Sequence, residues 1–126
     1  MIELAESRLG DQPSEKEIAN ALEQEARASE VYLSKKGAFN IAMCIEGKQL
    51  TSTELSEKLT ECSVSGFSTV NFFIGSSFGL SDRIKQACQL RLSMSKLTFP
   101  HQLARIMLLE QLYRAFQIAK NSRYHK

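Results

Sequence analysis

LSMSKLTFPHQLARIMLLEQLYRAF, running from Leu92 to Phe116, is the stretch on which the fold turns. Leu92 to Phe99 reads as a strand. Pro100 follows where the first turn of a helix tolerates a missing N–H, and the helix continues to about Ala119. That helix carries Leu103, Ile106, Met107, Leu108, Leu109, Leu112, Tyr113, Phe116 and Ile118, more than one amphipathic stripe can hold. One face can bury against a sheet, and the other needs a second cover. A homodimer with helix-to-helix contact is the expectation, and cover by other elements of the same chain is the alternative.

Upstream of this stretch, strand and helix patterns alternate. Val70 to Ile74 is an apolar run of strand length, followed by the loop Gly75-Ser76-Ser77-Phe78-Gly79-Leu80 and a short helix opened by Ser81 or Asp82 and reaching Cys88. Phe39 to Ile45 is a nearly continuous apolar run, the pattern of a strand buried on both faces. Glu46-Gly47-Lys48 then reads as a turn. Thr51 with Glu54 forms an S/T-x-x-E capping box before a helix that places Leu55, Leu59 and Cys62 at helical spacing and stops at Gly66. Ser14 with Glu17 forms a second such box, opening a helix to about Leu33 with Ile18, Ala21, Leu22 and Ala26 on its inner face. Ile2 to Ala5 reads as a further strand. The order β-α-β-α-β-α-β-α, with connections too long for hairpins, predicts an α/β fold: a parallel sheet covered by helices. The 126 residues support one domain spanning 1–126.

Composition excludes more than it selects. Apolar residues make up 43% and charged ones 24% of the chain, as in ordinary globular proteins, and the net charge of +2 forces no nucleic-acid partner. Three cysteines at wide spacing, Cys44, Cys62 and Cys88, read as reduced, buried thiols of a cytoplasmic protein. No basic-then-apolar leader opens the chain. The long apolar stretch from Leu103 to Ala119 is interrupted by Arg105, Glu110, Gln111 and Arg114, so no membrane partner is expected.

Ligands of open parallel sheets bind beyond the carboxyl ends of the strands. Three segments converge there: Met43 to Lys48, Gly75 to Leu80, and Leu97 to His101. The glycines of the middle one suit either close approach to a ligand or a tight turn, and neither a dinucleotide fingerprint nor a P-loop is present. His101 and His125 stand alone, so no metal is expected. No G-x-S-x-G elbow marks a nucleophile. The acidic residues between Glu15 and Glu30 read as a solvated helix face. Arg83, Lys85, Arg91, Lys96, Arg105, Arg114, Lys120, Arg123 and Lys126 gather toward the C-terminus. They are either helix-surface charge, with Glu110 and Arg114 paired one turn apart, or a phosphate-contacting face with Tyr124 and His125 available to a base.

Five segments together resemble one family: I-E-G-K-x-x-T-S-x-E-L (45–55), F-x-I-G-x-S-x-G-L-S (72–81), L-S-x-S-K-x-T-F-P-H-Q-L-x-R (92–105), E-Q-x-Y-R-A-F (110–116) and the terminal Y-H-K. This is the bacterial large-subunit rRNA pseudouridine methyltransferase family of the SPOUT superfamily, and the resemblance covers essentially the whole chain. It implies a C-terminal trefoil knot, S-adenosyl-L-methionine as cofactor, an obligate homodimer, and methylation at N3 of a pseudouridine in 23S rRNA of the assembled ribosome. Carried over, the cofactor contacts fall on Met43, Gly75 and the run Met94-Ser95-Lys96-Leu97-Thr98-Phe99. His101 and Arg105 fall at the start of the last helix, and Tyr124 and His125 are the candidates for positioning the base. Arg105 as a nearby cation, or His125 as a base, would favour loss of the N3 proton. The chain departs from the family in having Gly75-Ser76 where two glycines are usual. It also lacks the family's first strand and helix, so a shortened member that docks on the ribosome without methylating is the alternative to the enzyme.

Overall fold

The computed structural model describes residues 12, 14–75 and 78–120. Among them the elements run α1 (Glu15–Leu33), β1 (Ala38–Gln49), α2 (Ser52–Val64), β2 (Thr69–Ile74), α3 (Asp82–Ala87), β3 (Leu90–Ser93) and α4 (His101–Ala119). The three strands form a parallel sheet in the order β2-β1-β3. The strand expected over Ile2 to Ala5 lies outside the described residues.

The helix starts are written locally. Glu17 N–H donates to Ser14 Oγ at 3.1 Å, and Ser14 N–H donates to the Glu17 carboxylate at 3.3 Å. The same exchange opens α2, between Glu54 N–H and Thr51 Oγ1 at 3.1 Å and between Thr51 N–H and Glu54 Oε1 at 2.9 Å. Each box satisfies two N–H groups that a helix's first turn otherwise leaves open. Ser81 caps α3 by accepting from Ile84 N–H.

β1 is the spine of the fold because its first half, from Ala38 to Ala42, is buried on both faces, as its nearly continuous apolar run leads one to expect. Side chains alternate across a strand, so Phe39 and Ile41 enter one cluster with Leu55, Cys62, Leu92 and Ala115, beneath α2 and α4. Ala42 enters the other with Ala26, Ile84 and Cys88, beneath α1 and α3. Ile41 and Ala42 are both fully buried. Asn40 shares the second face. Its amide donates to Leu33 O, and the Asn71 amide donates to Asn40 Oδ1 and to Tyr32 O, tying the end of α1 to the sheet. Hydroxyls fix α4 against α2: Ser56 Oγ donates to Ala115 O and Ser52 Oγ to Gln111 Oε1, each at 2.7 Å.

Two expectations about strand ends are corrected. Glu46-Gly47-Lys48 does not end β1, which continues to Gln49 with a shift in register. Met43 and Lys48 both pair with Leu92, so residues 44–47 swing out of the β1–β3 ladder. Gly47 permits this: a Cβ there would lie 2.7–2.8 Å from the backbone of Arg91 and Leu92. The strand expected over Leu92 to Phe99 begins at Leu90 and ends at Ser93. Beyond it, Ser93 Oγ donates to Ser95 O at 2.9 Å and Leu97 N–H donates to Ser95 Oγ at 3.0 Å. Such local hydroxyl bonds draw the backbone away from a ladder.

α4 bears out the reading of a helix apolar on more than one side. Leu108 and Ala115 are buried against the chain. Leu103, Ile106, Leu109, Tyr113 and Phe116 form a second stripe that stays exposed, Ile106 at 63% and Phe116 at 58%.

Candidate functional site

Beyond the carboxyl ends of the strands the chain leaves a cleft of about 730 Å³, within the range of small-molecule sites. The end of β1 supplies Met43, Cys44, Ile45 and Glu46. β2 and its loop supply Ile74, Gly75, Gly79 and Leu80. The segment after β3 wraps the opposite side with Met94, Ser95, Leu97, Thr98 and Phe99, and His101 and Ala104 of α4 close it. The three segments expected to converge therefore do so. A second hollow of about 560 Å³ lies on the α2–α4 side and shares Met43, Leu92, Ser93 and Met94 with the first.

Backbone packing shapes this cleft. At Gly75 a Cβ would lie 2.6 Å from Gly79 O and 2.7 Å from Leu80 N, with the Gly79 carbonyl carbon closer still. Only a hydrogen at that position lets the loop fold back on the end of β2. Gly79 completes the turn at a φ of +80°.

The cleft wall is mostly apolar, with one ion pair in it. Lys85 Nζ of α3 donates to Glu46 Oε1 of β1 at 2.5 Å, and both residues line the cleft. The hydrogen bond to Lys85 is the first cause holding the Glu46 carboxyl below its ordinary range. The same bond raises the Lys85 ammonium. Both groups are thus charged at neutral pH. Arg91 Nη1 donates to Lys85 O at 3.1 Å, holding the end of α3. Beside them the Cys44 thiol is pushed up, by burial first and by the charge of Glu46 second.

Of the eight residues assigned to the cofactor by resemblance, Met43, Gly75, Met94, Ser95, Leu97, Thr98 and Phe99 line the one cleft. Lys96 is exposed and is not in its wall. His101 faces the cleft from the first turn of α4. Arg105, one turn on, is half-buried and stands outside the lining. Tyr124, His125 and Ser76 lie outside the described residues. Sequence reasoning named Lys85 only among the basic residues and Glu46 only in a turn, and did not place either in the cleft. Glu46 sits within the segment Met43 to Lys48, but its partner is 39 residues away and no local pattern joins them.

Several of the basic residues read either as helix-surface charge or as a phosphate-contacting face are ion-paired. Arg83 is bound to Glu23 at 2.7 Å and Glu30 at 3.1 Å of α1, Lys85 to Glu46, and Arg114 to Glu110 at 2.7 Å. The last is the pair expected from the sequence. Among the described residues no group of three His, Cys, Asp or Glu side chains could hold a metal ion, and no helix is long and apolar enough to cross a membrane. The three cysteines are free, Cys62 and Cys88 buried and Cys44 half-buried.

A parallel α/β sheet with a roomy, largely apolar cleft past its strand ends is the arrangement of a small-ligand-binding domain. Residues 1–125 match the family model described as "Predicted SPOUT methyltransferase". The chain is 44% identical over 128 residues to the ribosomal RNA large subunit methyltransferase H of Streptococcus uberis, with all of this chain and 79% of the relative covered. The proteins of the same name from Streptococcus suis and Streptococcus pneumoniae are 43% and 44% identical with the same coverage. The chain belongs to the SPOUT methyltransferase family.

Proposed function

We propose that this methyltransferase uses S-adenosyl-L-methionine to methylate N3 of a pseudouridine in 23S rRNA of the assembled ribosome. It works in the cytoplasm as a homodimer, residues 1–126 form a single domain, and the C-terminal part is threaded in a trefoil knot. The observation that carries the reading is the gathering of Met43, Gly75, Met94, Ser95, Leu97, Thr98 and Phe99 around one cleft. The names of the streptococcal relatives support large-subunit rRNA as the substrate.

The cleft fits the cofactor. Its apolar wall suits an adenine ring and the carbon arms of a sulfonium, and the close packing of Gly75 on Gly79 and Leu80 sets loop backbone in that wall. When bound, S-adenosyl-L-methionine supplies an electrophilic methyl group. The residues then have two tasks: to hold the acceptor nitrogen in line at near-attack distance, and to ease departure of its proton. His101 stands at the edge of the cleft in the first turn of α4, and Pro100 gives that turn no side-chain cap. Its open N–H groups and the positive end of the helix favour an acceptor that has lost its proton. Arg105 adds a cation one turn on. By the family resemblance, Tyr124 and His125 are the candidates for positioning the base, with His125 the candidate to take the N3 proton.

The exposed stripe of Leu103, Ile106, Leu109, Tyr113 and Phe116 supports the dimer, because a contiguous apolar face of this kind marks an interaction surface. The deciding experiment incubates the chain and tritiated S-adenosyl-L-methionine with ribosomes isolated without this activity. Label incorporated into 23S rRNA, with a reverse-transcription stop at one pseudouridine, is expected, since N3 lies on the pairing edge of the base. Cofactor binding without label transfer would refute the catalytic reading and leave a ribosome-docking protein.

A further inference from the structure

The cleft contains one feature that methyl transfer as described above does not use. Its described lining is apolar or neutral apart from His101 and the paired Glu46 and Lys85. The pair bridges β1 and α3 at one corner, where residues 44–47 have left the β1–β3 ladder. Lys85 is held from behind by Arg91, which binds its carbonyl. Glu46 keeps more than half of its side chain open to solvent, while Lys85 is 22% exposed.

Resting on the cofactor reading, we propose that Glu46 and Lys85 form the subsite for the zwitterionic amino-acid end of the cofactor. Lys85 takes the α-carboxylate and Glu46 the α-ammonium. A carboxylate and an ammonium on one carbon need a cation and an anion side by side, and this corner of the cleft supplies both. A half-exposed ion pair is held weakly, so parting it costs little. Two charge-assisted hydrogen bonds to the ligand then replace the single one between the side chains. The hydrogen-bonded partnership keeps both groups charged over the neutral range. The assignment also orients the ligand, with the charged end at the β1–α3 corner and the adenosine among Gly75, Leu80, Met94 and Phe99.

The test compares two ligands that differ in the amino-acid end. S-Adenosyl-L-homocysteine has it, and methylthioadenosine lacks it. Calorimetric titrations are made on the wild-type chain and on Lys85→Met, Glu46→Gln and Lys85→Arg. Lys85→Met and Glu46→Gln should each weaken S-adenosyl-L-homocysteine about tenfold and leave methylthioadenosine unchanged. Lys85→Arg, which keeps the charge, should recover most of the loss. Equal losses for both ligands would make the pair a mere brace of the cleft wall, and no loss for either would make it irrelevant to binding; each result overturns the assignment. If Lys85→Met does not fold, the near-isosteric Glu46→Gln carries the same comparison. A wild-type chain that binds neither ligand would instead overturn the cofactor reading on which the assignment rests.

Discussion

Gly75→Ala adds a single methyl group at the point where the loop after β2 folds back on itself. The new Cβ would stand 2.6 Å from Gly79 O and 2.7 Å from Leu80 N, where ordinary contact begins at 3.4 Å. The obstructing atoms are backbone, so no rotamer change relieves the overlap. The loop must retreat by roughly 1 Å, and Gly79 and Leu80, both in the wall of the cleft, retreat with it. Overpacking of this kind costs about 1–3 kcal/mol. At roughly 4 °C per kcal/mol for a chain of this length, the melting temperature falls by about 4–12 °C. Misplacement by about 1 Å also lowers turnover on the order of a hundredfold. Differential scanning calorimetry reads the first effect, and a ribosome methylation assay with a cofactor titration reads the second. A variant that melts and binds S-adenosyl-L-homocysteine as the wild type does would refute the claim that this backbone contact shapes the site.

Ile41→Ala, at the fully buried centre of β1, should cost about 2–5 kcal/mol in urea denaturation, against about 0.5–1.5 kcal/mol for Ile41→Val; equal losses would deny the tight packing described here. The Cys88 thiol is pushed up to about 11, by burial first and by Cys44 second. Its folded value exceeds its unfolded one, so its contribution to stability is complete below the ordinary value of 9.0 and is lost as pH rises toward about 11. Cys88→Ala should flatten that alkaline limb in melts taken from pH 8 to 11, and an unchanged limb would assign it to other groups. Ile106→Glu with Tyr113→Glu places unpaired charge on the exposed stripe of α4. A buried unpaired charge costs about 3–5 kcal/mol, so sedimentation should show dimer affinity reduced on the order of a hundredfold or more. A wild-type chain that sediments as a monomer would sink the proposed dimer.

What the sequence disclosed was local. Ser14 with Glu17 and Thr51 with Glu54 announce their helices within four residues, because a capping box is a contact between near neighbours. The double burial of β1 shows in its nearly continuous apolar run, since a strand covered on one side would alternate. The errors arose where a distant segment decides. Glu46-Gly47-Lys48 has the residues of a turn, but Gly47 serves the close approach of β3, more than forty residues away. Leu92 to Phe99 has the composition of a longer strand, but β1 offers it no ladder past Gln49 and the serines bind their own backbone instead. Within the cleft, the motif at 92–105 pointed to Met94 to Phe99, His101 and Arg105, and all of these but Lys96 and Arg105 line it. Glu46 with Lys85 escaped notice because each is an ordinary surface charge until the fold sets them together.

The offset between Met43 and Lys48, both opposite Leu92, also separates two things that insertions and deletions usually disturb together. Pairing of β1 with β2 is complete by Met43, so residues 44–47 carry no part of it. Shortening or lengthening this run by a residue changes the depth and chemistry of one wall of the cleft, while Ile41 and Ala42 keep their neighbours in both core clusters. A protein engineer, or natural variation, thus has a four-residue dial on the ligand side of a scaffold whose two core clusters contain none of it.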